Sequence, residues 1–448
     1  MKPARPSLAD RSPLYRILAN TAWLLGGKGF GAVCGLAYLA ILTRSLGLED
    51  FGHFSLIFGA ALAISGITGV QSWRTVVRYG ADHIHSEAWD RFGRLGMIGG
   101  LFDIAGAAVG CLIAAVMIYG FGRLLDIDPA HADQAFWFCC GMSLALVSAP
   151  TGIVRALHRF DLAVYVEAVV PVGRLVAALL IWQIGPSVGR FLIAWVIVDL
   201  IEATLYWLTA RRLVPQSVKL RYVREWRRGL AENPGLIRFF LLSHVTVTLD
   251  AIVRFGPLLA VGGLVGAASA GLYRLASQIT QALGKLSLLL TRVVYAEVSH
   301  ARVTAGAAEF RKLAVQTSLV AAAAAVVVIS LALTAGGELL ALVGGEEYRV
   351  GAVILVPLAI AASLDLASVA FEPVLHASGR PGQALMARAV TLLVLLVSIM
   401  LLTGHEATGI AWAVAIATLA GYLTTALLAF RAIGRPQAAP PAEDAALM

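Results

Sequence analysis

Long apolar runs alternate with short polar ones along this chain, and that alternation alone predicts its architecture. Stretches of about 20 apolar residues, the length of helix that crosses a bilayer core, fall at 18–42, 54–77, 95–119, 134–154, 162–183 and 191–210. A second group falls at 236–262, 271–295, 313–335, 350–376, 383–403 and 408–430. The pattern predicts an all-α integral membrane protein of about twelve transmembrane helices in two six-helix lobes, 18–210 and 236–432. Between the lobes lies a basic linker, 211–235, carrying Lys219, Arg221, Arg224, Arg227 and Arg228. Residues 1–17 form an N-terminal segment, and the Pro/Ala-rich residues 433–448 read as a disordered tail.

Charge adds an orientation. Lysines and arginines on one set of alternate loops number 23: the N-terminus, Arg78/Arg91/Arg94, Arg155/Arg159, Arg211 to Arg228, Arg302/Arg311/Lys312, Arg380/Arg388 and Arg431/Arg435. The other set holds four, Arg44, Arg123, Arg190 and Arg349. Cytoplasmic loops hold the excess, so both termini are expected in the cytoplasm, which requires an even number of helices. Composition agrees with a membrane solvent: of 448 residues 59% are hydrophobic and 14% charged, with a mean hydropathy of +0.81, where soluble domains carry about a quarter charged. The net charge of +8 is spread over short blocks between apolar runs rather than over one aromatic-interleaved patch, which excludes nucleic acid as a partner. Cys34, Cys111, Cys139 and Cys140 lie in apolar stretches without metal-ligand spacing and read as small core residues. Lys2, Arg5, Arg11 and Arg16 precede a long apolar run with no cleavage site, so the N-terminus reads as the start of an uncleaved first helix.

The two halves echo each other at an offset near 219. Gly52-His53-Phe54-Ser55-Leu56 opens the second span and Gly271-Leu272-Tyr273-Arg274-Leu275 the eighth; Leu157-His158 and Leu375-His376 follow the fourth and tenth. With six helices per half, equivalent helices run in the same direction, and the lobes would be related by an axis along the membrane normal, with substrate bound between them.

Apart from Arg388, counted above with the loop it borders, eight basic residues fall inside predicted spans: Lys28, Arg74, Arg174, Arg238, Arg254, Arg274, Lys285 and Arg292. Each costs about 2.5–3.5 kcal/mol at a helix centre unless it meets a cavity or a partner. On the eighth span Arg274, Gln278, Gln281, Lys285 and Arg292 share an arc of roughly 60° at about 100° per residue. Arg274 and Arg292 sit near opposite ends, where snorkelling to the interface is an alternative. Lys285 is too central for that; burial against a carboxylate is its alternative, and a hydrated basic cavity the preferred reading. Arg74 lies a turn deeper than Arg78 on the second span, and Arg78 reads as an interfacial anchor. Asp250 and Arg254 on the seventh span can pair at i, i+4, either structurally or functionally, while Glu167 and Arg174 are cofacial on the fifth. Lys28, among Gly26, Gly27, Gly29 and Gly31, fits a cavity charge or a buried pair. The carboxylates Asp103, Glu167, Asp199, Glu202, Asp250, Asp365 and Glu372 are candidates for ion coupling or for neutralising the arginines; for most the second reading is preferred, and Asp250, Asp365 and Glu372 are kept as coupling candidates. A wholly cationic stripe suits an anionic headgroup such as a diphosphate. Gly26-Gly27-Lys28-Gly29 lacks the strand–loop–helix setting of a phosphate loop, and no motif calls for a cofactor or a metal.

The stretch Leu42-Thr43-Arg44-Ser45-Leu46-Gly47-Leu48-Glu49-Asp50-Phe51-Gly52-His53-Phe54-Ser55-Leu56, after a glycine-rich first helix with Lys28, resembles the TRxLGPEDFGxFSL signature of bacterial polysaccharide-biosynthesis membrane proteins, the Wzx-type oligosaccharide flippases. Leu48 stands where that family has proline. Arg78-Tyr79-Gly80-Ala81 and Gly271-Leu272-Tyr273 are similar to the family's second and eighth helices; beyond the first 80 residues the likeness rests on topology. The resemblance implies the fold of the multidrug/oligosaccharidyl-lipid/polysaccharide exporter superfamily, with two lobes alternating around a central cavity. It implies transport, in the bacterial inner membrane, of an undecaprenyl-diphosphate-linked oligosaccharide to the periplasmic leaflet for exopolysaccharide or O-antigen synthesis. Partners would be membrane lipids and other polysaccharide assembly proteins. A multidrug or cation antiporter of the same fold is the nearest alternative, disfavoured because a cavity for organic cations should be acidic. A membrane enzyme is disfavoured because the outer loops are too short to house catalytic groups.

Overall fold

The computed structural model describes residues 13–299, 307–368 and 381–433, and regular structure within them is helical throughout. The first helix, Pro13–Thr68, is kinked at Gly47 into α1 (13–46) and α2 (48–68). It is followed by α3 (Ser72–His85), α4 (Trp89–Ala115), α5 (Ala132–Ala145), α6 (Ala149–Ala156), α7 (Phe160–Glu167), α8 (Val169–Ile184) and α9 (Val188–Leu213). Then come α10 (Leu236–Val265), α11 (Ala267–Ser299), α12 (Ala307–Gly344), α13 (Ala352–Ser368), α14 (Pro381–Leu402) and α15 (Glu406–Ile433). Within the described residues, each apolar run in the sequence coincides with one of these helices or with a broken pair of them, α2/α3, α5/α6 and α7/α8; the end of the 350–376 run, 369–376, lies outside the described residues. The architecture is therefore that of a multi-pass membrane protein with about twelve crossings, because a helix alone satisfies its own backbone in lipid.

Packing divides the chain into two compact units, residues 1–271 with 343–345, and 272–342 with 346–448. In the first unit small residues let helices meet closely. A Cβ on Gly66 would lie 2.5 Å from the Ala251 side chain, and one on Gly59 2.6 Å from Leu258, so α2 runs flush along α10. The Phe54 ring meets Phe51, Phe58, Phe191 and Trp195 at centroid distances between 5.8 and 6.5 Å, forming an aromatic centre between α2 and α9. Gly47 has φ +77, open to glycine without strain, and this is where the chain passes from α1 into α2. Nearby, Thr43 donates to the carbonyls of Leu39 at 2.9 Å and Val343 at 3.2 Å. A Cβ on Gly52 would overlap the carbonyl of Ala267 at the start of α11. The Ala267 N–H itself donates to the carboxylate of Asp126, 2.8 Å away, so the signature stretch and the start of α11 are held together.

The basic stretch 211–235 is folded against α3 and α4. Tyr222 is fully buried and its hydroxyl donates to Asp90 at 2.5 Å. Arg94, also buried, donates to Glu232 at 2.6 and 2.8 Å and to Glu225 at 3.2 Å. His83 and Asn233 share a 3.0 Å hydrogen bond. These contacts place the uncharged and acidic side chains inward, and leave Arg211, Arg212, Lys219, Arg221, Arg224, Arg227 and Arg228 exposed. In the second unit Arg349 bridges Glu338 and Glu346, α13 approaches α12 at Gly336, and α14 and α15 form a hairpin whose turn passes through Glu406 at φ +54.

Two expectations follow. Gly52→Ala should lower stability by about 1–3 kcal/mol through overpacking, while Gly404→Ala, with nothing near its Cβ position, should be neutral; thermal melting in detergent compares them. Burial pushes the Glu232 carboxyl up, but the hydrogen bond and charge of Arg94 and the charges of Arg228 and Arg91 outweigh it and hold the group below the usual carboxylate range. The stabilisation is thus complete above the unfolded value of about 4.3 and is lost as pH falls through the lower folded value. Glu232→Gln should remove this part of the acid dependence, read as a smaller drop in melting temperature on acidification than in the unaltered protein.

Candidate functional site: charges and broken helices within the first unit

The arginines within apolar runs and at their ends divide into two groups. Arg174 on α8 is buried and its Nη2 donates to both carboxylate oxygens of Asp199 on α9, each at 2.9 Å. Its guanidinium also lies 5.4 Å from the Phe58 ring centroid and 5.5 Å from that of Trp195, so it is tied into the aromatic centre. Arg155 pairs with Glu167 at 3.3 Å, and Tyr206 donates to the same carboxylate at 3.1 Å. For these arginines the carboxylates Asp199 and Glu167 act as neutralising partners.

Arg74 and Arg78 on α3 differ. Both are exposed, and among the described residues no carboxylate lies within ion-pair distance of either. Each instead rests on aromatic faces: Arg74 is 5.5 Å from the Trp73 centroid, and Arg78 is 4.6 Å from Phe239 on α10 and 5.7 Å from Tyr79. The aromatic faces orient the guanidinium groups and leave their N–H donors available for an anion. Along α10, Arg238 and Arg254 are exposed as well, with Arg254 over the Phe255 ring at 5.5 Å. Asp250 is half-buried one turn before Arg254.

On α11, in the second unit, Arg274, Gln278 and Gln281 are half-buried, whereas Tyr273, Leu275, Ala276, Ile279 and Thr280 are buried. These three members of the stripe thus lie on the more open face, with Gln281 donating to Ser277 at 3.1 Å. Lys285 and Arg292 continue the same helix, and Lys28 lies on α1, but their side chains fall outside the description. Asp365 is exposed on α13. Glu372 lies outside the described residues.

A feature that sequence reasoning missed sits among α2 to α6. The second and fourth crossings are both interrupted, at 69–71 and at 146–148, and the interruptions are joined. Trp73 N–H donates to Ser148 Oγ at 3.0 Å. From α4, Asp103 accepts from Ser72 Oγ at 2.7 Å through one oxygen, and from the N–H groups of Ser148 and Ala149 at 2.9 and 2.8 Å through the other. The approach needs glycine: a Cβ on Gly106 would lie 2.5 Å from the Thr68 carbonyl oxygen, and one on Gly152 2.7 Å from the Trp73 Cα. The available signal was Ser148-Ala149-Pro150, a proline at the start of a helix segment inside an apolar run.

The family model described as Polysaccharide biosynthesis protein matches residues 17–299. The inner membrane protein YghQ of Escherichia coli (strain K12) is 26% identical over 337 residues, covering 74% of this chain and 93% of that protein. Among solved structures, the lipid II flippase MurJ in an inward closed conformation is similar with TM-score 0.67 and 12% identity, covering 92% of this chain and 89% of that one. A multidrug resistance MATE family transporter in an inward-facing conformation has the same TM-score and identity, over 90% and 94%. At such identities the structures show a shared fold. The match over most of the sequence, including the Thr43–Leu56 stretch, shows that this chain belongs to the polysaccharide biosynthesis protein family.

Proposed function

We propose that this protein is a flippase that moves an undecaprenyl-diphosphate-linked oligosaccharide from the cytoplasmic to the periplasmic leaflet. The observation that carries the proposal is the pair of exposed arginines, Arg74 and Arg78, held on aromatic faces with no carboxylate in ion-pair distance among the described residues, in a member of this family. A cation within an apolar run, as Arg74 is, is costly unless an anion or water receives it, and Arg78 stands one turn further on at the end of the same run; a diphosphate is such an anion. The six-helix lobes 18–210 and 236–432 would alternate around a cavity receiving Lys28, Arg74, Arg254, Arg274, Gln278, Gln281, Lys285 and Arg292, with Arg174 supporting it from its pair with Asp199. Asp250, Asp365 and Glu372 are the ion-coupling candidates of this scheme. The protein would lie in the bacterial inner membrane with both termini and the 211–235 stretch in the cytoplasm, among membrane lipids and other polysaccharide assembly proteins.

The multidrug resistance MATE family transporter shares the fold at a TM-score equal to that of the lipid II flippase, which leaves a cation antiporter as the second reading. A cation antiporter would bind organic cations, for which the exposed Arg74 and Arg78 are a repulsive lining. The two readings differ in what the arginines do.

In a host lacking its own copy, Arg74→Ala and Lys285→Ala should accumulate normally and melt as the unaltered protein does. Surface glycan should fall by at least about tenfold, equivalent to about 1.4 kcal/mol of lost interaction. Asp199→Ala, in contrast, should lower the amount of folded protein, since leaving a buried Arg174 unpaired costs about 3–5 kcal/mol. Normal glycan export by both Arg74→Ala and Lys285→Ala would overturn the proposal, and export of a cationic dye with no effect on glycan would favour the antiporter. For orientation, a single cysteine at position 219 should react only with a membrane-permeant reagent.

A further inference from the structure

Asp103 is an acid inside a membrane helix whose partners are all neutral. One carboxylate oxygen faces the Ser72 hydroxyl; the other faces the two N–H groups that open α6. Among the described residues no cationic side chain lies within ion-pair distance of it. Titratable and charged groups on the elements around this part of α4 are engaged elsewhere or apart from it. Arg74 and Arg155 lie over the Trp73 ring, at 5.5 and 4.9 Å from its centroid. His244 on α10 stacks on Phe240, which in turn meets Phe102. Arg94, on α4 itself, is bound to Glu225 and Glu232. Cys111 on α4 and Cys139 and Cys140 on α5 lie further along the bundle.

From this arrangement we infer that Asp103 is a proton-binding site that sets how firmly the halves of the two broken crossings are held together. The donors decide which ligand fits. Three N–H or O–H groups are aimed at the carboxylate, and a metal cation would need oxygen ligands in their place, so a proton is the cation the site accepts. The geometry also fixes where it goes. A backbone N–H cannot reverse its polarity, but the Ser72 hydroxyl can rotate and accept. The proton therefore binds the oxygen that faces Ser72: a carboxyl O–H forms, the serine lone pair receives it, and the serine proton turns to another acceptor. The oxygen facing Ser148 and Ala149 then belongs to a neutral acid. Hydrogen bonds to an ionised acceptor are roughly twice as strong as neutral ones, so the grip on the start of α6 weakens. Through Ser148 Oγ, which accepts from Trp73 N–H, the same change reaches the start of α3. Interrupted membrane helices bend where their backbone is already open, and Asp103 closes both interruptions. The inference concerns a proton and these helices alone and is independent of which substrate the protein carries.

The test is amide hydrogen exchange of the full-length protein in nanodiscs, corrected for intrinsic rates, between about pH 4.5 and pH 8, which brackets a carboxyl's ordinary range. Protection of segments 72–76 and 148–152 should fall several-fold as pH drops, with a single midpoint, while the 54–60 segment of α2 stays constant. Asp103→Asn, isosteric and uncharged, should show the low-protection state at every pH, and a carboxylic-acid C=O band present in the infrared pH-difference spectrum of the unaltered protein should be missing from it. Ser72→Ala should raise the midpoint, because the ionised form loses its stronger hydrogen bond. Replacing potassium by sodium chloride at fixed pH should change nothing. Flat protection in the unaltered protein, an unchanged pH profile in Asp103→Asn, an unmoved midpoint in Ser72→Ala, or protection that follows sodium would each overturn the inference. The first and last of these do not depend on any variant folding.

Discussion

A bilayer offers no water to a freed backbone N–H or C=O, and the rest of this structure depends on that constraint. It is why the apolar runs are helical wherever they are described, and why the described crossings join through single residues such as Gly47 or short turns. It also explains why the interruptions at 69–71 and 146–148 lie side by side. Ser148 supplies the acceptor that the start of α3 lacks, and Asp103 supplies it for the start of α6. The glycines at 106 and 152 permit the approach that makes this exchange possible.

The same scarcity of water sorts the charges. An arginine within reach of a carboxylate on a neighbouring helix is neutralised, as Arg174 is by Asp199 and Arg155 by Glu167. Arg94 shows the principle at the end of a helix, where Glu225 and Glu232 come from a different segment of chain. What remains on α3 are guanidinium groups resting on rings, a contact worth about 0.5–2 kcal/mol that holds a cation without cancelling its charge. Arg74 and Arg78 are thus positioned but not satisfied, which is the condition that a binding group for an anion has to meet.

How much of this could be read from the sequence depends on the distance over which each interaction acts. The crossings were legible because apolarity over about 20 residues is a local property. The neutralising role of Glu167 and Asp199 was legible as a class, since a membrane arginine needs a partner, but the pairing was not: Glu167 is cofacial with Arg174 in sequence, yet Arg174 takes Asp199 from α9 while Glu167 takes Arg155. Choosing between them requires knowing which helices touch. Asp103 stood as one acid in an apolar run, and nothing local distinguishes an acid that neutralises an arginine from one that caps a helix 45 residues away. The stretch 211–235 looked like a charged linker because its basic side chains dominate the composition. Its fold depends on Tyr222, Asn233 and the acids, the minority that point inward.

The signature stretch carries a different lesson. Thr43 ties α1 to Val343, Gly47 lets the chain pass into α2, Gly52 makes room for the carbonyl of Ala267, and Phe51 and Phe54 fill the aromatic centre. Each of these roles is mechanical, and none leaves a donor or a charge directed at a ligand. The residues that identify the family are those that assemble the first unit, whereas the residues suited to an anion, Arg74 and Arg78, lie on α3, outside that stretch. Under the function proposed above, a chain that kept the signature could exchange its substrate by altering the exposed face of α3, because the packing that places that face is specified elsewhere. Membership of the family then constrains the scaffold closely, and on that proposal it constrains the cargo only through exposed charges such as Arg74 and Arg78.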